Sequence, residues 1–334
     1  MTRPRRPTIR DVAHAAGVST GTVSRYLNGG HWVSDHAQRA IARAIETTGY
    51  TANQSARTLV TGRSNSIAYL MTETSRMPFA DPTYALLLRG IAVEMARRGR
   101  TLVVLVAGTQ EERTTVSRYI RAGHVDGVLL ISPHADDPLV AELVDEGVPM
   151  ASSGRPLGFE DRVHHVTIDE AGGAALATRH LLDLGRRRIG MIVGPEDTPG
   201  GRLRRAGFER AMGDRFERDL VVTGDYGRPS GAAAMRELLR RAPDLDGVFA
   251  AADAMALGAL DVLQDRGVDV PGDVALVGFD DSGPAAESRP ALTTIRQPWE
   301  RIVDELVRLV LAAVDGAPVQ RVELTTTLTR RESA

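Results

Sequence analysis

The sequence contains no cysteine and no lysine, and only 4% of its 334 residues are aromatic. Without cysteine the protein can form no disulfide, no zinc finger or iron–sulfur cluster held by thiolates, and no cysteine nucleophile. Without lysine it has neither a phosphate-binding loop that ends in Gly-Lys-Ser/Thr nor a Schiff-base catalyst. All 41 basic residues are arginines, a bias that a GC-rich genome explains most simply.

Long hydrophobic runs are also missing. No apolar stretch reaches the roughly 18 residues that a membrane span needs, and no apolar segment follows the basic N-terminus MTRPRRPT as it would in a signal peptide. With 43% hydrophobic and 25% charged residues, the composition is that of a globular protein. We therefore expect a cytoplasmic protein of two or three domains, without a membrane partner.

The sequence lacks motifs that would indicate an enzyme or a metal site. No strand-like run is followed by the Gly-x-Gly-x-x-Gly pattern of dinucleotide-binding folds, and His-Glu-x-x-His does not occur. The eight histidines are scattered, and the adjacent His164 and His165 would point to opposite faces of a strand rather than share a metal ion. We expect no catalytic residues, no metal site and no cofactor.

The net charge of −2 conceals an asymmetry along the chain. Residues 1–63 hold nine arginines against Asp11, Asp35 and Glu46, a net charge of +6, whereas the remainder holds 32 arginines against 40 acidic residues, a net charge of −8. A small basic head on a larger acidic body indicates that the head contacts a polyanion such as nucleic acid.

The head has the pattern of three short helices. Thr8 is a suitable cap for the first helix, Gly17 can end it in the left-handed conformation, and Ser19 can cap the second. A third helix follows, capped by Ser34 or Asp35. A helix, a tight glycine turn and a second helix form the helix-turn-helix pattern.

The second helix combines a thin apolar face with a polar face of small residues. Val18, Val23 and Leu27 are its apolar positions, and threonine, glycine and serine fill most of the others. Small residues let a helix approach the major groove closely, hydroxyl and N–H groups at its start hold phosphates, and Arg25 can reach a base or a phosphate. A surface helix with an ordinary serine cap is the alternative.

From Ser66 onwards, apolar strand-like runs alternate with amphipathic helical segments. The predicted strands cover residues 67–71, 101–107, 127–132, 188–194, 247–251 and 273–279, and the predicted helices lie near 84–98, 111–122, 137–146, 170–184, 201–212, 229–240 and 253–265. Continuous apolar strands separated by helices predict parallel sheets covered on both faces. About 270 residues are too many for one open sheet, so we expect two doubly wound α/β subdomains whose ligand lies beyond the carboxyl ends of the strands.

An ordered set of motifs spans the whole chain. The head supplies TIRDVAHAAGVSTGTVSRYLNG at 8–29, GY at 49–50 and NQSARTLVTGRS at 53–64, and the body supplies HVDGVLLIS, GRRRIGMIVGP, GRLRRAGF, ADAMALGAL, DVALVGFDD and LTTIRQP. Together they resemble the LacI/GalR family of bacterial transcription regulators. The resemblance implies a repressor that binds a pseudo-palindromic operator as a homodimer and responds to a small ligand, usually a sugar.

The resemblance also implies the domain organisation. Residues 1–52 would form the helix-turn-helix domain, 53–64 a hinge helix and linker, and 65–334 a periplasmic-binding-protein-like core for effector binding and dimerisation. In that core we expect one subdomain at about 65–167 plus 299–320, and a second at about 168–296 plus the last strand. No leucine heptads follow that strand, so we expect a dimer without an additional tetramerising helix.

Matching motif positions imply the DNA contacts. Thr20, Gly21 and Arg25 fall on the base-reading face, Ser19, Thr22 and Ser24 suit phosphates, and the set also includes Thr8, Asn28, Asn53, Ala56, Arg57 and Leu59. The resemblance implies that Leu59 is an apolar wedge that unstacks a minor-groove step and bends the DNA, with Arg57 beside it; an interdomain linker with one exposed leucine is the alternative. Because Thr20-Gly21 departs from the larger polar pair of some members, Arg25 is expected to carry more of the specificity.

The resemblance also implies the effector contacts, which are Phe79, Asp81, Tyr84, Arg155, Arg204, Tyr226, Asp280, Gln297 and Trp299. Aromatic faces suit a sugar ring and arginine–aspartate pairs suit vicinal hydroxyls, and we expect a plant-type oligosaccharide such as a cello-oligosaccharide. Ala252 stands where many relatives carry asparagine, which makes room for a longer ligand. Asp169 and Asp253 are expected to be helix N-caps, and Arg202 or Arg205 a surface charge.

Two other classes of protein fit the sequence less well. A cytoplasmic sugar-binding protein without regulatory DNA binding would leave the basic head unexplained, and one that works outside the cell would need export. A nonspecific, nucleoid-type DNA binder would have no need of a βα core of this size. The sequence therefore favours a sequence-specific regulator.

Overall fold

The computed structural model describes residues 7–27, 32–50, 62–73 and 81–334. The chain divides into two compact units, Met1–Ser64, which contains the basic head, and Asn65–Ala334, which we call the core. Among the helices of the described residues, none is both long enough and apolar enough to cross a membrane.

The described part of the head forms helices α1 (Ile9–Ala16), α2 (Thr20–Leu27) and α3 (Asp35–Thr48). The predicted caps begin the first two helices. Thr8 Oγ1 donates to Asp11 Oδ2 at 2.7 Å at the start of α1. Ser19 Oγ accepts from the Thr22 amide at 3.1 Å at the start of α2. Of the two candidate caps for α3, Ser34 is the one that accepts a backbone hydrogen bond.

A small apolar core holds the three helices together. Val12 and Ala13 of α1, Val23 of α2 and Ile41 of α3 are all buried in one cluster. Gly17 ends α1 with φ of 64°, a left-handed conformation that lets the chain turn sharply towards α2. The predicted helix-turn-helix is confirmed.

The described part of the core, residues 65–73 and 81–334, contains two six-stranded sheets. The first holds β1 (Ser66–Met71), β2 (Thr101–Val106), β3 (Gly127–Ile131), β4 (Met150–Ser153), β5 (His164–Ile168) and β11 (Arg321–Leu324), in the order β11-β5-β4-β3-β1-β2. All its strand pairs are parallel. The central strand β1 is buried along its whole length, which explains why its sequence SIAYLM lacks an alternating polar face.

The second sheet holds β6 (Ile189–Val193), β7 (Val221–Thr223), β8 (Gly247–Ala250), β9 (Ala275–Asp280), β10 (Thr293–Arg296) and β12 (Thr327–Thr329). Their order is β12-β10-β9-β8-β6-β7. The pairs are parallel except for the edge pair of β10 and β12, which is antiparallel. The two sheets are the parallel-dominated pair that the alternating pattern predicts.

Helices pack against each sheet and complete two α/β subdomains. The first subdomain includes α4 (Pro82–Arg97), α5 (Gln110–Arg121), α6 (Pro138–Asp145) and α12 (Trp299–Val314), and the second includes α7 (Glu170–Asp183), α8 (Pro199–Met212), α9 (Arg228–Arg241), α10 (Asp253–Asp265) and the short α11 (Gly283–Glu287). Helices α4 and α12 approach closely at Gly90, where a Cβ atom would lie 2.7 Å from Val303 Cγ2. A glycine is therefore needed at this crossing.

The chain crosses between the subdomains three times. It leaves the first sheet after β5, returns through α12 after β10, and crosses again between β11 and β12. The last strand, β12, lies in the second sheet, whereas β11 just before it lies in the first. The first sheet consequently extends to Leu324, rather than to about residue 320.

Candidate functional site

A cleft lies between the two subdomains of the core, at the carboxyl ends of their strands. Its polar and aromatic lining includes Asp81, Tyr84, Ser132, Ser153, Thr167 and Trp299 from the first subdomain, and Glu170, Thr198, Arg204, Tyr226 and Asp280 from the second, with Gln297 at the crossing between them. Doubly wound sheets bind their ligands at such strand ends. The cleft is therefore the candidate ligand site.

Arg204 of α8 is the centre of a buried polar network, with only 7% of its surface exposed. Its Nε donates to Glu170 Oε2 and its Nη1 to the Ala251 carbonyl, both at 2.5 Å. The guanidinium carbon lies 3.7 Å from the centre of the Phe279 ring. Asp280 Oδ1 stands 3.7 Å from Nη1, beyond hydrogen-bond distance. A ligand hydroxyl beside this pair can accept from the guanidinium and donate to the carboxylate.

The charges in this network favour a permanently ionised arginine. Burial lowers the pKa of Arg204, but the charges of Glu170 and Asp280 outweigh it and raise the pKa above its ordinary value. Burial raises the pKa of Asp280 well above its ordinary range, and Arg204 only partly offsets this. Ionising the buried carboxyl group of Asp280 therefore costs free energy, and a hydroxyl donor from a ligand would favour its charged form.

Asp280 occupies a strained position at the end of β9. Its φ is 118° and that of Asp281 is 54°, both in the left-handed half of conformational space that non-glycine residues rarely adopt. Gln297 Nε2 donates to Asp280 Oδ1 at 2.7 Å, and the indole Nε1 of Trp299 donates to the Asp280 carbonyl at 2.9 Å. These two bonds fix both the carboxylate and the backbone of Asp280 against the crossing that leads into α12.

Asp253 hydrogen-bonds the same loop from the start of α10. The expected role of Asp253 as an N-cap is wrong. Ala252 is the N-cap of α10, and the side chain of Asp253 is fully buried. Its carboxylate accepts from Ser282 N at 2.8 Å, Ser282 Oγ at 3.2 Å and Thr294 Oγ1 at 2.5 Å. Asp253 is therefore a positioning residue for the loop that presents Asp280. Burial raises its pKa.

The expected N-cap at Asp169 and the surface role of Arg205 are confirmed. Asp169 Oδ1 accepts from the Gly172 amide at 2.7 Å at the start of α7. Arg205, next to the buried Arg204, forms ion pairs with Glu196 and Glu209 outside the cleft. The two adjacent arginines of α8 thus serve different purposes.

Two tyrosines face the cleft from opposite subdomains. The Tyr226 hydroxyl lies 2.9 Å from Thr198 Oγ1, and the residue takes φ of 69°. Its ring passes over Gly194, where a Cβ atom would lie 2.1 Å from Tyr226 Cζ. Tyr84, in the first turn of α4, has its hydroxyl 3.5 Å from Glu73 Oε1. Burial raises the pKa of Tyr226 to about 12 and that of Tyr84 further still, so both hydroxyls stay neutral hydrogen-bond donors.

The first subdomain lines the cleft mainly with small hydroxyl groups. Ser132, Ser153 and Thr167 come from the ends of β3, β4 and β5, and Asp81 caps α4 by accepting from the Thr83 amide at 2.9 Å. Burial raises the pKa of Asp81. This wall can exchange neutral hydrogen bonds with a ligand, whereas the charged network lies on the opposite side.

The structure brings together seven of the nine residues expected to contact an effector, namely Asp81, Tyr84, Arg204, Tyr226, Asp280, Gln297 and Trp299. Arg155 is exposed and is not part of the lining, although Ser153 and Gly154 before it are. Phe79 lies outside the described residues. No sequence motif indicated Glu170 and Thr198, which line the cleft from the segments that follow β5 and β6.

The second candidate site is the polar face of α2 in the head. Ser19, Thr20, Gly21 and Arg25 are exposed, and Thr8, Thr22 and Ser24 are half-buried. Arg25 Nε donates to the Gly21 carbonyl at 3.3 Å, so the side chain lies along the helix surface. Asn28, Asn53, Ala56, Arg57 and Leu59 lie outside the described residues, and so does most of the expected hinge helix. No cluster of metal-binding side chains occurs in the part of the chain that the structure describes.

Two sequence profiles match the chain. One, described as bacterial regulatory proteins of the lacI family, covers residues 8–53, and one for a periplasmic-binding-protein-like domain covers residues 178–334. Among curated proteins, the HTH-type transcriptional regulator CelR of Thermobifida fusca is 44% identical over 339 residues and covers 100% of both chains. The regulator GalR of Escherichia coli K12 is 32% identical, covering 98% of this chain and 95% of its own.

Solved structures of transcriptional regulators are also similar to this chain. A transcriptional regulator CelR–cellobiose complex superposes with a TM-score of 0.78 at 42% identity, covering 98% of this chain and 100% of the other. A lac repressor dimer bound to operator and the anti-inducer ONPF superposes with a TM-score of 0.86 at 25% identity, covering 98% and 99%. Both similarities include the head and the core.

Proposed function

The chain belongs to the LacI family of bacterial regulatory proteins, and on this premise we propose that it is a transcriptional repressor whose operator affinity is set by a neutral sugar of the cello-oligosaccharide class. It is a sequence-specific DNA-binding regulator that works in the cytoplasm as a homodimer, and it is not an enzyme. A two-fold symmetric dimer binds two inverted half-sites, so the operator is pseudo-palindromic.

The DNA contacts are proposed for the exposed face of α2. The basic head supplies the non-specific attraction to phosphates, and the small residues Thr20 and Gly21 beside Arg25 allow close approach to base edges. Arg25 is the long side chain on this face, and its hydrogen-bond partner among the described residues of the head is the Gly21 carbonyl. It can therefore be redirected to DNA at little cost.

We expect Arg25→Ala to lower operator affinity by about 1–3 kcal/mol, because a base or phosphate contact is lost. The measurement is fluorescence anisotropy with an operator selected by the protein from random-sequence DNA, at several salt concentrations. Arg43→Ala is the matched control, since Arg43 is an exposed arginine of the same head on α3. Equal losses of affinity for the two variants would contradict the role of α2 as the recognition helix.

The homodimer is proposed to use the free edge of the first sheet. Strand β2 lies at that edge with Val104 45% exposed, and α4, which packs beside it, exposes 48% of Val93. An apolar edge strand left open would invite non-specific strand pairing. A second copy that covers β2 and α4 removes this hazard and buries both valines.

The charged side chains of the cleft favour a neutral effector over an anionic one. Among its described lining residues, Arg204 is the one cationic side chain, and it faces the three carboxyl groups of Asp81, Glu170 and Asp280. An anionic ligand would find Arg204 already paired with Glu170, and its charge would raise the pKa values of the buried Asp81 and Asp280 still further. A neutral ligand rich in hydroxyl groups can bond the arginine–aspartate pair and the hydroxyl wall at once.

The aromatic side chains favour a sugar among such ligands. Tyr84, Tyr226 and Trp299 surround the polar network, and sugar rings pack their C–H faces against aromatic rings while their hydroxyls bond polar groups. The observation that carries this proposal is the Arg204–Asp280 pair set among these three rings. The similarity to a regulator solved with cellobiose supports a β-linked glucose disaccharide in particular.

Calorimetric titration of the full chain tests this proposal. We expect saturable binding of cellobiose and cellotriose, weaker binding of galactose, and no binding of glucose 6-phosphate, because the phosphate meets the acidic side chains. Binding of the sugar phosphate with the highest affinity would contradict the charge argument. Binding of galactose alone would leave a sugar regulator but contradict the cello-oligosaccharide class.

A further inference from the structure

A histidine joins the two subdomains at the edge of the cleft. His134 lies between β3 and α6 in the first subdomain, and its Nε2 is 2.6 Å from Glu73 Oε1, which follows β1 of the same subdomain. Its Nδ1 is 2.8 Å from Asp197 Oδ2, on the loop between β6 and α8 of the second subdomain. Next to it, the Ala135 amide donates to the Asp197 carbonyl at 2.9 Å. These two bonds to Asp197 bridge the subdomains.

We propose that His134 is a proton-dependent latch that holds the cleft closed and thereby raises the affinity for the effector. This inference rests on the proposed function, because closure can raise the affinity for a sugar only if the cleft binds one. His134 is not among the residues that line the cleft, so it would act through closure and not through contact with the ligand.

Donation to both carboxylates at once requires the doubly protonated imidazolium. A neutral imidazole carries one N–H group and can donate to only one carboxylate, whereas the imidazolium donates from both nitrogens. Both ring nitrogens of His134 face carboxylate oxygens within 2.8 Å. A neutral ring would leave one nitrogen lone pair against a carboxylate, which is repulsive, so loss of the proton weakens one of the two contacts.

Closure and protonation of His134 are therefore linked. The hydrogen bond with Glu73, and secondarily that with Asp197, raise the pKa of His134 to about 9 against the opposing effect of burial. Opening removes Asp197 but keeps Glu73, so the pKa in the open cleft lies between the ordinary value of about 6.5 and that of the closed cleft. The proton binds more tightly to the closed form. The contribution to closure is complete below the open-form pKa and is lost as the pH rises through about 9.

Among the described residues, the hydrogen-bond partners of the His134 ring are Glu73 and Asp197, and the other charged groups of the adjoining segments are arranged as follows. Asp137, on the same loop, caps α6 and faces Arg113 at 3.8 Å, and Glu196, on the facing loop, pairs with Arg205 at 2.7 Å. Asp136 is the remaining charged residue of the His134 loop. From α4, the Tyr84 hydroxyl faces Glu73, and Asp81 lies at the start of the same helix. The described arginines of these neighbouring groups, Arg113 and Arg205, thus pair with carboxylates other than Glu73 and Asp197.

Calorimetric titration of cellobiose at pH 7.0 and pH 9.5 tests the latch. For the wild type we expect a dissociation constant about three- to tenfold higher at pH 9.5, the range of one partly buried ion pair. His134→Gln should show the weaker affinity already at pH 7.0 and little change with pH. His124→Gln is the matched control, an exposed histidine of the same subdomain that stacks on Tyr119, and it should behave as the wild type. Wild-type affinity and wild-type pH dependence in His134→Gln would overturn the proposal.

A second measurement needs no sugar and separates the latch from the proposed effector. The ring of His134 is titrated by NMR in the wild type and in Asp197→Asn, and hydrogen exchange of the Ala135 amide is compared in the wild type and His134→Gln. We expect a lower His134 pKa in Asp197→Asn and faster Ala135 exchange in His134→Gln. If cellobiose fails to bind the wild type, the effector proposal fails and this measurement alone decides the latch. An unchanged pKa together with unchanged exchange would overturn it.

Discussion

Replacing Asp280 by asparagine is expected to weaken cellobiose binding by about 1.5–3 kcal/mol, the usual worth of a hydrogen bond to a charged group. The variant keeps the shape of the side chain, and an amide oxygen can still accept from Gln297, so the strained loop should persist. Arg204 retains its bonds to Glu170 and to the Ala251 carbonyl. The fold and the binding of operator without sugar should therefore be nearly unchanged.

Titration calorimetry measures the loss of cellobiose affinity, and operator anisotropy on the same preparations measures whether DNA binding is unchanged. Asp265→Asn, the same change at an exposed position near the end of α10, should leave sugar and operator binding as in the wild type. If Asp280→Asn binds cellobiose with wild-type affinity, the sugar does not use the Arg204–Asp280 pair, and the proposed site is wrong.

Arg204→Gln is expected to lower the free energy of unfolding by about 3–5 kcal/mol, the largest effect on stability that the structure predicts for a single residue of the cleft. The substitution removes the cation between Glu170 and Asp280 and leaves both carboxylates with less compensation for burial. It also removes the donor to the Ala251 carbonyl and the contact with the Phe279 ring. Glutamine is too short to replace all three contacts.

Urea unfolding at a fixed dimer concentration measures this loss, since the stability of a dimer depends on protomer concentration. The matched control is Arg205→Gln, one residue further along α8. Arg205 pairs only with surface carboxylates at Glu196 and Glu209, and such pairs contribute about 0–1 kcal/mol. Similar losses for the two variants would show that the network around Arg204 does not stabilise the core.

The strands that could be predicted from the sequence are those with continuous bulky apolar runs. All six of them are present, with ends shifted by one or two residues. The missed strands are short or rich in hydroxyl residues, such as β4 with the sequence MASS and β10 with TTIR. Strand β4 is nonetheless buried, because α12 packs against it. Almost half of the chain separates these two elements in the sequence. Burial that depends on so distant an element leaves no local pattern.

The cleft was predictable where a polar residue directly follows an apolar strand, as Asp280 does, or falls in a family motif, as Arg204 and Gln297 do. Asp253 also opens a helix after a strand, and an N-cap was the natural expectation. The structure buries it instead, because the loop after β9 folds back and presents donors from Ser282 and Thr294 to its carboxylate. The role of His134 could not be predicted from the sequence, because its two acidic partners come from segments that only the tertiary fold brings together.

The central claim is that a sugar bound in the cleft of the core changes the affinity of the head for DNA. Its most direct test is fluorescence anisotropy of wild-type protein on its selected operator, with and without saturating cellobiose. We predict a change in the operator dissociation constant of roughly 5- to 150-fold, the usual range of allosteric coupling, and no such change with glucose 6-phosphate. Operator affinity that stays the same at a cellobiose concentration shown by calorimetry to fill the site would contradict the account.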